Sequence, residues 1–192
     1  MTVDWGGLLS AQLEFYWSAH LRPRLDALTD EEYLWQPVEE CWTLRPDGDG
    51  RYVLDGQQPE PDPPPVTTIA WRLMHVALGM ATRASTFFGD GTVPGDADMF
   101  DPRHRPDRLP PRAGAGVQFL EECYERWHHG IVGLDEPALC RPLGPKGARF
   151  ADEPMAALIV HVNREVMHHG GEICLLRDLY RAGSRPPSVP PG

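Results

Sequence analysis

The sequence lacks the features that mark several large classes of protein. No part of it approaches the roughly 18 consecutive apolar residues that a membrane-spanning helix needs. The N-terminus has no basic region followed by an apolar run and a small-residue cleavage site, so we predict no signal peptide. We therefore expect a cytoplasmic protein that does not insert into a membrane.

Basic residues are also fewer than acidic ones. The chain has 18 Lys and Arg residues against 28 Asp and Glu, and its formal net charge is −10 at pH 7. This balance argues against nucleic acid or an anionic membrane surface as a partner. We expect a small-molecule substrate instead, and homodimerisation is left open.

Cysteine pairs and the common catalytic signatures are absent as well. The four cysteines are scattered and form no CxxC pair, which argues against a zinc-thiolate site or a dithiol redox motif. We expect them to be reduced and mostly buried. There is no G-x-S-x-G elbow, no P-loop, no G-x-G-x-x-G after a strand and no H-E-x-x-H.

What is present suits an all-α protein. The 192 residues, 41% hydrophobic and 24% charged, predict one globular domain over residues 1–181 and a flexible C-terminal tail over 182–192. Apolar residues at helical spacing predict four long helices, at about 5–28, 67–89, 114–132 and 154–181. We predict that these helices form a four-helix bundle. Residues 133–153 are predicted to be a loop that joins the third helix to the fourth.

A short β-hairpin or extended insertion is predicted between helices one and two. Residues 41–45 and 51–54 have strand character, and Pro46-Asp47-Gly48-Asp49-Gly50 between them is turn chemistry. Before the hairpin, Thr29 and Glu32 predict a capping box for a short helix. The charge run Asp30–Glu32 is expected to be a solvated face.

The last predicted helix carries the candidate chemistry. A helical wheel places His169 on the apolar arc and Glu165 at its edge, while His161, His168 and Glu172 fall further toward the polar side. Glu165 and His169 form an i, i+4 pair whose side chains meet on one face. Burial of such a pair is costly unless a divalent metal or a hydrogen bond satisfies it. The spacing alone leaves both explanations open.

A third candidate metal ligand, His75, lies on the second predicted helix, where it borders the apolar arc beside Trp71 and Leu78. Two histidines and one carboxylate would suit Zn²⁺, Ni²⁺ or Fe²⁺ and leave a position open. His20 is an alternative that could face the site from helix one, and His104 is expected to be solvated in its loop. Gly170-Gly171 indicates close approach of a ligand or of another helix.

The segment HVNREVMHHGGEICLLRDLYR resembles the last helix of the DinB-like superfamily, the damage-inducible and YfiT-type bundle proteins. Glu165-x3-His169 followed by Leu175-Leu176-Arg177 is similar to one branch of that family. TTIAWRLMHVALG resembles the family's second helix, in which His75 matches the first metal ligand. The resemblance covers nearly the whole chain and is strongest at 21–46, 67–79 and 154–181.

The resemblance implies a four-helix bundle and a divalent metal, Zn or Ni, held by His75, Glu165 and His169. Glu165 stands where the family often has His, and Glu172 stands where Gln or His is usual. Characterised relatives include thiol-dependent enzymes that use mycothiol or bacillithiol, and others look like metal-dependent hydrolases. Glu172 and His168 are rim candidates for proton transfer.

Three functional hypotheses follow from the residues and the resemblance together. The first is a metal-dependent S-transferase that uses a low-molecular-weight thiol such as mycothiol. The alternatives are a metal-dependent hydrolase with the same ligands, and a non-enzymatic bundle that binds a small ligand or dimerises. A basic pocket for a carboxylate would favour the first, with Arg24, Arg72 and Arg83 as its candidate residues.

Overall fold

The computed structural model describes residues 3–89 and 93–183. Its helices are α1 (Trp5–Tyr16), α2 (Arg22–Arg24), α3 (Asp30–Leu34), α4 (Ile69–Phe88), α5 (Ala113–Ile131), α6 (Glu136–Leu139) and α7 (Met155–Gly183). A π-helical segment (Trp17–Leu21) joins α1 to α2, and 3₁₀ turns lie at Pro102–His104 and Gly144–Phe150. None of the described helices combines the length and the apolarity needed to cross a membrane.

The predicted four-helix bundle is confirmed, with α4 at its centre. α4 packs most extensively on α5 and next on α7, and α1 lies against α7 and α5. The core between them is filled by large side chains with little or no exposure, among them Leu13, Leu73, Met74, Leu120, Trp127, Ile159 and Val166. These residues recur at helical spacing, which is why the apolar pattern predicted the helices.

The predicted end of helix one, at Leu28, is wrong. α1 begins at an Asp4 cap, whose carboxylate accepts a hydrogen bond from the Gly7 N–H at 2.9 Å. After Tyr16 the backbone hydrogen bonds change from the α pattern to the wider π pattern, and α2 then ends at Arg24. Pro23 lacks the backbone N–H that would continue the helical ladder, which is consistent with the widened turn before it and the early end.

The insertion before α4 is a β-hairpin, as predicted, with shorter strands. β1 (Leu44–Pro46) pairs antiparallel with β2 (Tyr52–Leu54), and Leu44 faces Leu54. Backbone hydrogen bonds from Trp42 to Val66 and from Thr68 to Trp42 tie the hairpin to the start of α4. The Thr68 side chain then caps α4.

The predicted loop 133–153 contains two helical segments, α6 and the 3₁₀ turn Gly144–Phe150. α6 begins where the Asp135 side chain accepts a hydrogen bond from the Ala138 N–H, and Pro137 stands in its first turn. The last helix reaches Gly183, two residues past its predicted end. The rest of the predicted tail, 184–192, lies outside the described residues.

The capping box at α3 is confirmed, but the expectation that Glu32 lies on a solvated face is wrong. Glu32 is buried, and its carboxylate meets Arg177 and Arg181 on α7. Arg177 is itself buried and donates to the backbone carbonyls of Arg24 and Asp26. This cluster ties α3, the end of helix one and α7 together.

The two adjacent glycines of α7 have different surroundings. A Cβ added at Gly170 would lie 2.6 Å from the Tyr16 hydroxyl oxygen, whereas one added at Gly171 would meet nothing within 4 Å. Gly170 is therefore a site of close helix packing, which is one of the two explanations that the sequence left open. Gly171 is exposed.

Substitution by alanine should separate the two positions. We expect Gly170→Ala to destabilise the protein by about 1–2 kcal/mol because Tyr16 must move. Gly171→Ala, with the same chemical change, should stabilise it by up to about 1 kcal/mol through helix propensity. Urea denaturation of both variants measures the difference, and equal effects would contradict the packing role of Gly170.

Candidate metal centre

Three donor groups converge where α4 and α7 pack together. Glu165 Oε2 lies 3.4 Å from His169 Nε2 and 3.8 Å from His75 Nε2. One donor atom from each of the three residues lies within 4.8 Å of the other two. The structure thus brings together the three residues that the sequence and the family resemblance pointed to.

Local packing fixes the direction of each ring. The His75 ring stacks on Trp71, with centroids 4.9 Å apart and planes 9° apart, and the Trp71 indole N–H donates to the Asp55 carbonyl at 2.8 Å. The hairpin insertion therefore holds Trp71, and Trp71 supports His75. His169 meets His75 edge-on at 4.8 Å. Since Glu165 precedes His169 by one helical turn, the carboxylate and the imidazole share a face of α7.

The protonation of His75 suits a metal ligand. Burial, together with the neighbouring His169, lowers the pKa of His75 to about 4, although Glu165 acts in the opposite direction. His75 is therefore neutral at physiological pH, and its lone pair is free to bind a cation. Two imidazoles and one carboxylate form a donor set that fits Zn²⁺ or Ni²⁺.

Glu172 holds the far side of the His169 ring, a contact that the helical wheel did not predict. Its Oε2 lies 2.7 Å from His169 Nδ1. Arg72 on α4 lies 3.0 Å from the same carboxylate oxygen and also 3.0 Å from Nδ1. With the guanidinium donating to the carboxylate, Glu172 accepts the Nδ1 proton, which leaves His169 Nε2 free on the side of Glu165.

His168, the other rim candidate, is exposed, and its Nε2 lies 3.4 Å from Glu172 Oε1. Together with His169 and Glu172 it forms a second group that could hold a cation. Because the Glu172 carboxylate is already occupied by Arg72 and by His169 Nδ1, we assign Glu172 to orienting His169.

Removing the charge of Glu172 tests this orienting role. Glu172→Gln should weaken metal binding by about 10- to 100-fold because the Nδ1 proton loses its carboxylate acceptor. Competition titration of the metal-free protein with a chromogenic chelator measures the change. Glu122→Gln, the same change at an exposed position of α5, serves as control. A loss of less than twofold in the Glu172 variant would contradict the assignment.

A cavity of about 1000 Å³ opens beside the three donors. His75 and Glu165 belong to its wall, and so does His161, whose Nδ1 lies 3.8 Å from the other oxygen of Glu165. The remaining wall is formed by α4, by α7, by Leu54 of the hairpin and by the segments around Met99 and Phe150. A volume of this order suits a ligand of drug size.

Other residues considered from the sequence lie elsewhere. His20 is exposed against Phe15 and Tyr16 and contributes to neither of the donor groups found in the described residues. The expectation that His104 is solvated is wrong: it is half-buried and contacts the hydroxyls of Ser85 and Thr86.

The three candidate arginines have different roles. Arg24 pairs with Asp178 at the surface, and Arg72 pairs with Glu172. Arg83 alone among them lines the cavity.

The cysteines lie outside the candidate centre. All four are free, but only Cys41 and Cys123 are buried, so the expectation that most of them are buried is only half right. None of them belongs to a donor group in the described part of the chain. The candidate centre is therefore built from nitrogen and oxygen donors alone.

Comparison with known proteins agrees with the helical fold. The family model described as the DinB superfamily matches residues 12–173, which include α4 and the part of α7 that carries Glu165 and His169. No curated protein and no solved structure matches the chain. A match over most of the chain, together with the helical bundle, identifies the family. The chain therefore belongs to the DinB superfamily.

Proposed function

We propose that this protein is a divalent-metal-dependent enzyme that transfers the sulfur of a low-molecular-weight thiol, of the mycothiol type, to a small electrophile in the cytoplasm. The observation that carries the proposal is the convergence of His75, Glu165 and His169 from two helices, with His75 and Glu165 in the wall of a large cavity. DinB superfamily membership, in which metal binding is frequent, supports it.

Each residue of the candidate centre would have a distinct role in this reaction. His75, Glu165 and His169 would hold Zn²⁺ or Ni²⁺, and such an ion supplies Lewis acidity and favours the thiolate over the thiol. Glu172 would keep the proton on His169 Nδ1, so that Nε2 stays available. Trp71 keeps His75 in place. The walls of the cavity would hold the electrophile close to the sulfur and limit access of water.

Three protein ligands would leave a fourth position of a tetrahedral ion open. Because Zn²⁺ also binds thiolate sulfur well, the thiol of the substrate would fill that position. The volume of the cavity, about 1000 Å³, is large enough for a thiol and a small acceptor together. A hydrolase with the same donors would need no thiol, and this requirement separates the two functions by experiment.

The test is an assay of the Zn- or Ni-loaded protein with mycothiol, with bacillithiol and without thiol, in the presence of 1-chloro-2,4-dinitrobenzene. We expect conjugation that depends on a thiol, that is lost in Glu165→Gln and that persists in the exposed control His20→Gln. A parallel assay with 4-nitrophenyl acetate and no thiol detects hydrolysis. Metal-dependent hydrolysis without thiol conjugation would favour the hydrolase, and no reaction of either kind in a metal-loaded protein would contradict the enzyme proposal.

A further inference from the structure

The cavity beside the metal centre carries a positive charge that contrasts with the rest of the protein. Four arginines and two glutamates line it: Arg83, Arg105, Arg149, Arg164, Glu153 and Glu165. The chain as a whole has a formal net charge of −10. Since Glu165 is directed toward the two histidines of the metal centre, the remaining wall has an excess of cations.

Arg83 is a half-buried arginine of this wall that forms no ion pair with the described residues. Its Nη1 donates to the Thr82 hydroxyl at 2.9 Å, and its buried Nε–H has no acceptor among the described residues. No carboxylate in the described part of the chain lies within 4.0 Å of its guanidinium. Burial lowers the pKa of Arg83, which reflects the cost of holding this charge away from water. An anion beside it would remove that cost.

Aromatic rings hold two of the guanidinium groups at the cavity wall. The Arg83 Cζ lies 5.5 Å from the Phe100 ring centroid, and the Arg149 Cζ lies 5.2 Å from the same ring. Arg149 also lies 4.9 Å from the Phe150 centroid. Cation–π contacts of this kind fix the groups without neutralising them. They are therefore positioned before any anion arrives.

The arginines lie at a defined distance from the metal centre. His75 and Arg83 are eight residues apart on α4, which corresponds to about 12 Å along the helix axis. Gly79 lies between them on the same face and also lines the cavity. The wall between the two ends is mainly apolar, with Leu78, Met80, Met99 and Leu158 among its residues.

We propose that Arg83 and Arg149 form a subsite for the carboxylate or phosphate of an amphipathic acid. The apolar body of this molecule would lie along the cavity, and its reacting end would reach the group formed by His75, Glu165 and His169. Arg105, at the same wall, adds to the positive potential. This assignment of the substrate class rests on the proposed function for the reacting end. The anion subsite itself needs no metal.

The test therefore uses the metal-free protein and three probes, 4-phenylbutyrate, 4-phenylbutyl phosphate and the neutral 4-phenylbutanamide. Calorimetry or ligand-observed NMR gives the dissociation constants for the parent, Arg83→Gln, Arg149→Gln and Arg126→Gln. Arg126 is exposed on α5, so its variant is a control with the same change in charge. Arg149 is also exposed, so its variant tests the subsite even if Arg83→Gln fails to fold.

We expect at least one of the two anions to bind the parent about tenfold more tightly than the amide. Arg83→Gln and Arg149→Gln should each remove most of this preference, whereas Arg126→Gln should keep it. The tighter of the two anions identifies carboxylate or phosphate as the ligand group. Equal binding of anions and amide by the parent, or an anion preference that survives both cavity variants, would overturn the proposal.

The result separates the subsite from the proposed function. Arginine-dependent anion binding in a protein that takes up no metal would support the subsite and contradict the enzyme proposal. Thiol conjugation by the metal-loaded protein, with no preference for anions over the amide, would support the enzyme proposal and contradict the anion subsite.

Discussion

His169→Ala is expected to abolish metal binding while leaving the helix content of the protein nearly unchanged. His169 Nε2 is one of only three donor atoms in the proposed centre. Loss of a direct ligand should weaken binding by more than the 10- to 100-fold typical of removing a supporting group. Alanine has the highest helix propensity, so α7 should persist even though the substitution leaves a small void beside a buried position. Metal titration and far-UV circular dichroism measure the two effects.

The neighbouring His168 offers a matched control. It is exposed on the same helix and undergoes the same chemical change in His168→Ala. We expect that variant to keep the metal affinity of the parent within a few-fold. Parent-like affinity in His169→Ala would show that His169 is not a ligand, whatever the behaviour of the control.

The second large effect concerns stability. Glu32→Gln is expected to destabilise the fold by about 3 kcal/mol or more. The Glu32 carboxylate accepts hydrogen bonds from Arg177 at 3.2 Å on each oxygen, from Arg181 at 2.9 Å and from the Thr29 backbone N–H at 3.1 Å. Because Arg177 is 1% exposed, removing the carboxylate charge leaves a buried guanidinium without a counter-ion. Urea denaturation measures the loss.

The same carboxylate predicts a pH dependence. Burial alone would raise the pKa of Glu32, but hydrogen bonds from Arg177, from the Thr29 backbone and from Arg181 outweigh it, and the pKa lies below its ordinary value. The stabilisation is therefore fully present above the unfolded-state pKa of about 4.3 and is lost as the pH falls through the lower pKa of the folded state. The parent should lose stability in that range, and the difference between the parent and Glu32→Gln should shrink there.

Glu31→Gln is the control for both measurements. Glu31 is exposed beside Glu32, and its side chain forms one hydrogen bond with the described residues, accepted from the Tyr180 hydroxyl at 3.4 Å. Its substitution should change stability by no more than about 0.5 kcal/mol. If the two variants behaved alike, the buried cluster would not be a main support of the fold.

The sequence predicts the parts of this fold that depend on local patterns. Apolar periodicity predicts the four long helices, and Thr29 with Glu32 predicts the α3 cap. The burial of Glu32 depends on Arg177, which lies 145 residues away in the chain. A charge run looks solvated in a sequence when its partner comes from another helix. The π-helical segment Trp17–Leu21 was not predicted, because apolar residues at helical spacing do not distinguish a π turn from an α turn.

The candidate centre is predictable to a similar degree. The i, i+4 spacing places Glu165 and His169 on one face, and the apolar arc of helix two together with the family resemblance supplies His75. The spacing gives no sign that Glu172 would turn toward His169 Nδ1, since that contact depends on the side-chain rotamer and on Arg72 from α4. The cavity was not predicted because Phe100, Arg149 and Phe150 reach it from two irregular segments. Their arrangement is set by tertiary packing.

The central claim is that His75, Glu165 and His169 hold one divalent metal, and elemental analysis of the purified protein tests it most directly. The protein is freed of chelator and compared with His75→Ala and Glu165→Ala. The account predicts about one equivalent of Zn or Ni in the parent and loss of that metal in both variants. A parent that takes up no metal after incubation with each ion, or variants that retain a full equivalent, would contradict it.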